Sequence, residues 1–96
     1  MLTHRQAIKE LLKEQPLSLR ELSQQLSLSE KEVLEHLGHI ARAPGPGYRF
    51  QITPAVCQHC GFVFKKRDRL RTPSRCPLCR HQSISRPRFA LLKQGG

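Results

Sequence analysis

Leu17-Ser18-Leu19-Arg20-Glu21-Leu22-Ser23-Gln24-Gln25-Leu26-Ser27-Leu28-Ser29-Glu30-Lys31-Glu32-Val33 is the stretch that decides the fold. Twice in it a serine stands three residues before a glutamate, Ser18 before Glu21 and Ser29 before Glu32. At that spacing the hydroxyl and the carboxylate satisfy each other's free backbone donors at the start of a helix. Each serine also follows a leucine with an apolar partner further on, Leu17 with Leu22 and Leu28 with Val33, the staple that fixes how a chain enters a helix. Only Ser27 and Leu28 separate the end of the first helix from the cap of the second.

Working outward, Thr3 and Gln6 repeat the capping spacing, and Ala7, Ile8, Leu11 and Leu12 form one apolar stripe behind them. Gln15-Pro16 ends that stripe, because proline disfavours helical geometry in the residue before it. A helix over residues 3–14 is predicted. The second helix carries Leu19, Leu22 and Leu26; the third carries Val33, Leu34, Leu37, Ile40 and Ala41 and closes at Pro44-Gly45-Pro46-Gly47. Two short helices joined by a tight turn, with a third packed across them, make a tri-helical helix-turn-helix. Tyr48-Arg49-Phe50-Gln51-Ile52-Thr53 then alternates apolar and polar as one strand does. Its partner is either missing or supplied from downstream.

Residues 19–29, with Val33 and His36-Leu37, resemble the helix-turn-helix of winged-helix regulators of the arsenic-repressor and multiple-antibiotic-resistance type. The resemblance covers about residues 3–43 and implies a β-wing after the third helix.

The 96 residues include 17 Lys and Arg against 7 Asp and Glu, a formal charge of +10. Residues 1–43 are balanced, so the whole surplus lies downstream, where Asp68 is the single acid. All four cysteines lie there too, which divides the chain into residues 1–54 and residues 55–96. Aromatics at 5% and hydrophobics at 38% exclude a large catalytic core. The apolar runs are far shorter than a bilayer span, and the first ten residues have no signal-peptide pattern, so a cytoplasmic protein with no membrane partner is expected.

Cys57-Gln58-His59-Cys60 and Cys76-Pro77-Leu78-Cys79 are two C-x2-C pairs with fifteen residues between them. That spacing fits a tetrahedral metal site, in which each pair presents two sulfurs to one ion. A disulfide framework wants export, and a thioredoxin-like pair wants a βαβ unit that this chain lacks. One structural Zn²⁺ on Cys57, Cys60, Cys76 and Cys79 is the expected cofactor, iron being the alternative that thiolate ligands leave open. Gly61 suits the turn after the first pair, whereas Arg80 follows the second. His59 and His81 read as bystanders to a full ligand shell. Strands are expected at residues 62–65 and within residues 84–92, with Phe62 and Phe64 filling a small core. So little apolar surface cannot fold this half, so the metal must contribute about 10 kcal/mol or more.

The whole arrangement resembles predicted prokaryotic transcriptional regulators that fuse an N-terminal winged helix-turn-helix to a C-terminal zinc ribbon. The expected class is α+β, a tri-helical winged helix-turn-helix followed by a small β zinc ribbon. The resemblance implies a DNA-binding, non-enzymatic regulator whose partner is nucleic acid, double-stranded DNA foremost. On the helices the expected contacts are Arg20, Ser29, Lys31, His36, His39 and Arg42. In the ribbon they are Lys65, Lys66, Arg67, Arg69 and Arg71, a dense electrostatic footprint. Glu30, Glu32 and Glu35 oppose phosphate at the mouth of the third helix, although Glu30 and Glu32 also complement its macrodipole. The competing readings are a protein-interaction adaptor and an RNA-binding module. A homodimer would match a two-fold operator, and Phe89-Ala90-Leu91-Leu92 is the one apolar stretch left over to form it.

Overall fold

The computed structural model describes residues 3–64 and 73–94. It runs α1 (His4–Glu14), β1 (Leu17–Ser18), α2 (Leu19–Leu26), α3 (Glu30–Arg42), β2 (Tyr48–Thr53) and β3 (Arg88–Lys93).

The three helices start where the hydroxyl caps place them. Thr3 Oγ1 accepts from the Gln6 N–H at 3.1 Å, and Gln6 Oε1 accepts from the Thr3 N–H at 3.1 Å. Ser18 and Glu21 close the same reciprocal pair at 3.2 and 2.9 Å. The third pair forms on one side only, Ser29 Oγ accepting from the Glu32 N–H at 3.1 Å. No return bond from the Glu32 carboxylate to the Ser29 amide occurs among the described residues, which leaves Glu30 and Glu32 to act on the positive end of α3. α1 gives way to extended backbone at Gln15, before Pro16. α2 ends on Ser27 in the left-handed conformation, φ 55°, and the Ser23 hydroxyl donates to the Leu28 carbonyl across the turn into α3.

The sheet contains what the local pattern could not supply. β3, near the far end of the chain, lies between β1 and β2 and runs antiparallel to both. Its register pairs Leu17 with Phe89 on one side, and on the other runs from Tyr48 opposite Lys93 to Thr53 opposite Arg88. β2 alternates as its sequence demands: Tyr48, Phe50 and Ile52 pack on the core while Arg49, Gln51 and Thr53 face water. Strand β1 went unforeseen because its two residues already serve as staple and cap.

Ile8 and Leu12 of α1, Leu22 of α2, Val33, Leu37 and Ile40 of α3 and Phe89 and Leu91 of β3 form one buried cluster. Phe89 is wholly buried and stacks on Phe50, centroids 5.9 Å apart. Full burial of such a side chain stabilises by about 1.5–3 kcal/mol, so the helices depend on this distant strand. Phe89, Ala90 and Leu91 are therefore spent on the chain's own core, which corrects the expectation that this stretch is free to form a dimer contact. The four-cysteine segment lies within residues 54–87, which connect two strands that lie side by side.

Candidate metal centre

Residues 55–57 form the spine of that segment. Val56 bridges to Val63 on one side, and Cys57 bridges to Ile84 on the other. The Phe64 N–H donates to the Ala55 carbonyl at 2.9 Å, while Ser85 holds Val56 twice, accepting from its N–H at 2.8 Å and donating to its carbonyl at 2.9 Å. The expected first arm and the start of the second at Ile84 are thus present as single bridges, with Lys65 outside the described residues, while residues 88–92 of the expected second arm belong to β3 of the main sheet. Phe62 and Phe64 meet edge to face, centroids 5.1 Å apart and half-buried, as small-core residues do.

Each cysteine pair sits on the same backbone turn. In the first, the Gly61 N–H donates to the Cys57 carbonyl at 2.9 Å, and the Cys57 N–H donates to the Phe62 carbonyl at 2.8 Å. In the second, the Arg80 N–H donates to the Cys76 carbonyl at 2.9 Å, and the Cys76 N–H donates to the His81 carbonyl at 3.0 Å. The turns require positive φ at equivalent places, 83° at Gly61 and 62° at Arg80. Arginine thus adopts a conformation that glycine enters without steric cost.

The two turns bring the sulfurs together. Cys57 and Cys79 lie 3.5 Å apart, Cys60 and Cys76 lie 3.6 Å apart, and all four Sγ atoms fall within 4.8 Å of one another. All four are free cysteines. Zinc–sulfur bonds of about 2.3 Å imply tetrahedral edges of about 3.8 Å, so the cluster has the size of a four-thiolate shell. Its titration behaviour points the same way. Backbone N–H groups, that of Cys60 first and then that of His59, draw the Cys57 thiol down to about 6. Burial works to raise Cys76, but N–H groups from Cys79 and Leu78 outweigh it and lower that thiol too. At Cys79 an N–H from His81 lowers the thiol, yet burial and the three neighbouring sulfurs push it up to about 12. Four thiols at this separation cannot all ionise unaided, and a divalent cation is what lets them do so. His59 and His81 stay out of the cluster and stack on each other across the two turns, centroids 3.7 Å apart.

The expected nucleic-acid contacts that fall among the described residues differ in their surroundings. Lys31, His39 and Arg42 lie on the exposed side of α3, and Arg20 is exposed on α2. The Ser29 hydroxyl is occupied as a cap. His36 is turned toward α1, where its Nδ1 accepts from Arg5 Nε at 3.4 Å and its ring meets His4 edge-on at 6.3 Å. His36 is thus half-buried between the two helices, next to Leu37 on the flank of the apolar stripe. Lys65, Lys66, Arg67, Arg69 and Arg71 lie outside the described residues. Sequence reasoning missed the cationic groups Arg5 and Lys9 that gather around His36, because only packing of two helices brings them together.

A small α+β unit of three helices and a three-stranded antiparallel sheet, carrying a four-cysteine zinc ribbon between two of its strands, defines the class, and the ribbon is the seat of one structural Zn²⁺. The chain belongs to the PF0610-like family: the PF0610-like N-terminal domain matches residues 3–50, and the PF0610 rubredoxin-like zinc beta-ribbon domain matches residues 54–94. It is similar to protein PF0610 from Pyrococcus furiosus, whose solution NMR structure superposes with a TM-score of 0.74 at 41% identity, covering 92% of this chain and 87% of that one. No curated protein matches the chain. Among the described residues no helix is long and apolar enough to cross a membrane.

Proposed function

We propose that the chain is a cytoplasmic DNA-binding transcriptional regulator and not an enzyme. In this reading α2 and α3 form the helix-turn-helix, β2 and β3 form the wing, and the zinc ribbon takes the place of the wing's tip. The observation that carries it is the antiparallel β2–β3 pair directly after a helix whose Lys31, His39 and Arg42 are exposed. In such a layout the second helix of the pair enters the major groove and the wing reaches the flanking backbone. The ribbon then adds phosphate affinity through the basic surplus of its half of the chain, a surplus that four thiolates holding a divalent ion reduce by only two. A four-thiolate shell leaves no open position for water or substrate, which supports a structural role for the metal.

The test is a backbone amide NMR titration of the zinc-loaded protein with a mixed-sequence duplex at low and moderate salt. Shifts at residues 30–42 and in the ribbon that persist with salt support the reading. Shifts confined to the ribbon that vanish with salt reduce it to electrostatic binding, for which single strands or RNA are the next ligands.

One observation favours a second reading, that of a protein-interaction adaptor: Glu30, Glu32 and Glu35 are all exposed on α3 around Lys31. Replacing the three with lysine strengthens duplex binding if α3 meets phosphate, and weakens a partner that presents a basic face.

A further inference from the structure

Away from the zinc centre, α1 and α3 enclose an open cleft of about 430 Å³ lined by Thr3, His4, Arg5, Gln6, Lys9 and His36. Two of the six are permanent cations, two are imidazoles and none is acidic. Thr3, His4, Arg5, Gln6 and Lys9 come from α1 and its cap and His36 from α3, so the packing of α3 against α1 closes the cleft around two cations that the helix already sets one turn apart.

The contacts inside the cleft orient them. His36 Nδ1 accepts from Arg5 Nε, which fixes the guanidinium at the cleft wall and leaves its terminal nitrogens with donors to spare. That bond requires His36 to be neutral on Nδ1. Burial first, then the charges of Arg5 and His4, hold its pKa below the ordinary 6.5; Glu35 opposes this and His39 adds to it, both on α3 itself. The first turn of α1 contains no acid, so the cations stand against its macrodipole with no internal carboxylate to answer them. Arg5 and Lys9, one turn apart, can grip one tetrahedral anion between a planar fork and a point charge.

We propose that this cleft is an anion subsite for a phosphate group, and that it seats a backbone phosphate of the duplex whose groove receives α3. The assignment of the phosphate to a duplex rests on the regulator reading; the subsite itself does not. Arg5, Lys9 and His4 would then extend the contact surface from α3 onto α1, on the flank that His36 occupies.

Two measurements on the zinc-loaded full chain test it. The first is the salt dependence of binding to a mixed-sequence duplex for the wild type and for Arg5→Gln combined with Lys9→Gln, both exposed or half-exposed helix positions where glutamine is a good helix former. The expected result is a salt slope shallower by about 1 in the variant, one phosphate contact's worth. The second is an NMR titration of the wild-type His36 ring with inorganic phosphate against chloride at matched ionic strength, in which phosphate produces a saturating shift and chloride does not. An unchanged slope with an unmoved ring overturns the subsite while leaving duplex binding intact. A saturating phosphate shift in a protein that fails to bind duplex supports the subsite, assigns it to free phosphate, and takes down the regulator reading. No duplex binding and an unmoved ring overturn both.

Discussion

Thr53 and Arg88 face each other across the β2–β3 ladder, with the entire zinc ribbon looped out between them. The helical core therefore receives its central strand, with the buried Phe89 and Leu91, only after the chain has passed through the metal site. With zinc bound, the ribbon holds the two strands together much as a short hairpin turn does. Without zinc the two strands are joined only through a connection of 34 residues (54–87), whose closure costs about 2 kcal/mol more than that of a short turn. Chelation is thus expected to erase hydrogen-exchange protection at Cys57, Phe64 and Ser85, and to lower the helical unit's melting temperature without abolishing its far-UV signal. An unchanged melting temperature after chelation would show that the ribbon and the sheet are energetically independent.

What the sequence disclosed and what it hid separate along a physical line. The helices were legible because a cap hydroxyl and its third residue sit within one turn, so Thr3, Ser18 and Ser29 announce their own starts. β2 was legible from its period of two, and the metal site from two short cysteine spacings. The placement of β3 was not, since Leu17 and Phe89 meet across most of the chain and neither carries a mark of the other. The turn of His36 toward Arg5, and the stack of His59 on His81, were hidden for the same reason. Arg80 is a different case: arginine stands where the first turn has glycine, yet the chain makes the same hydrogen bonds there.

That substitution leads to a paired prediction. Arg80 holds φ 62°, a conformation that costs a non-glycine residue about 1 kcal/mol. Arg80→Gly should raise resistance to a zinc chelator about fivefold, the equivalent of that energy. Gly61→Ala should lower it by a similar factor. A Cβ at Gly61 would meet no atom within 4 Å, so the loss is one of backbone conformation and not of collision. Competition with a chromophoric chelator reads both, and equal midpoints for all three proteins would show that the left-handed turn is unstrained.

Phe89 offers a direct measure of how far the helices lean on the last strand. It is wholly buried, stacks on Phe50 and pairs with Leu17 and Ile52. Phe89→Ala should cost about 3–5 kcal/mol, enough to leave a domain of this size marginal or unfolded. Leu92→Ala, one strand position outside the core cluster and half-buried, should cost far less. Urea unfolding followed by helical circular dichroism separates the two, and a mild effect at Phe89 would mean that the three helices hold together without β3.

Glu21 ties the helix-turn-helix to the same strand and makes stability depend on pH. The Ser18 backbone N–H is the main influence lowering its pKa from the ordinary 4.5; burial opposes it, while the Ser18 hydroxyl and Arg88, 3.4 Å away, assist. A carboxylate whose pKa is depressed on folding contributes stability above its unfolded value and loses it as pH falls through the folded one. The melting temperature should therefore drop as pH is lowered below about 4.5, part of the drop arising from Glu21. The part is modest, because the side chain is 39% exposed and its pairing with Arg88 is screened. Glu21→Gln keeps an oxygen to accept from the Ser18 N–H but cannot titrate, so it should flatten the acid limb, costing at neutral pH the same modest amount that the wild type loses on acidification. Ser18→Ala instead removes the cap and should cost about 1 kcal/mol at every pH. Thermal melts of the three proteins between pH 3 and pH 7 distinguish the outcomes, and an acid limb identical in wild type and Glu21→Gln would remove Glu21 from the account.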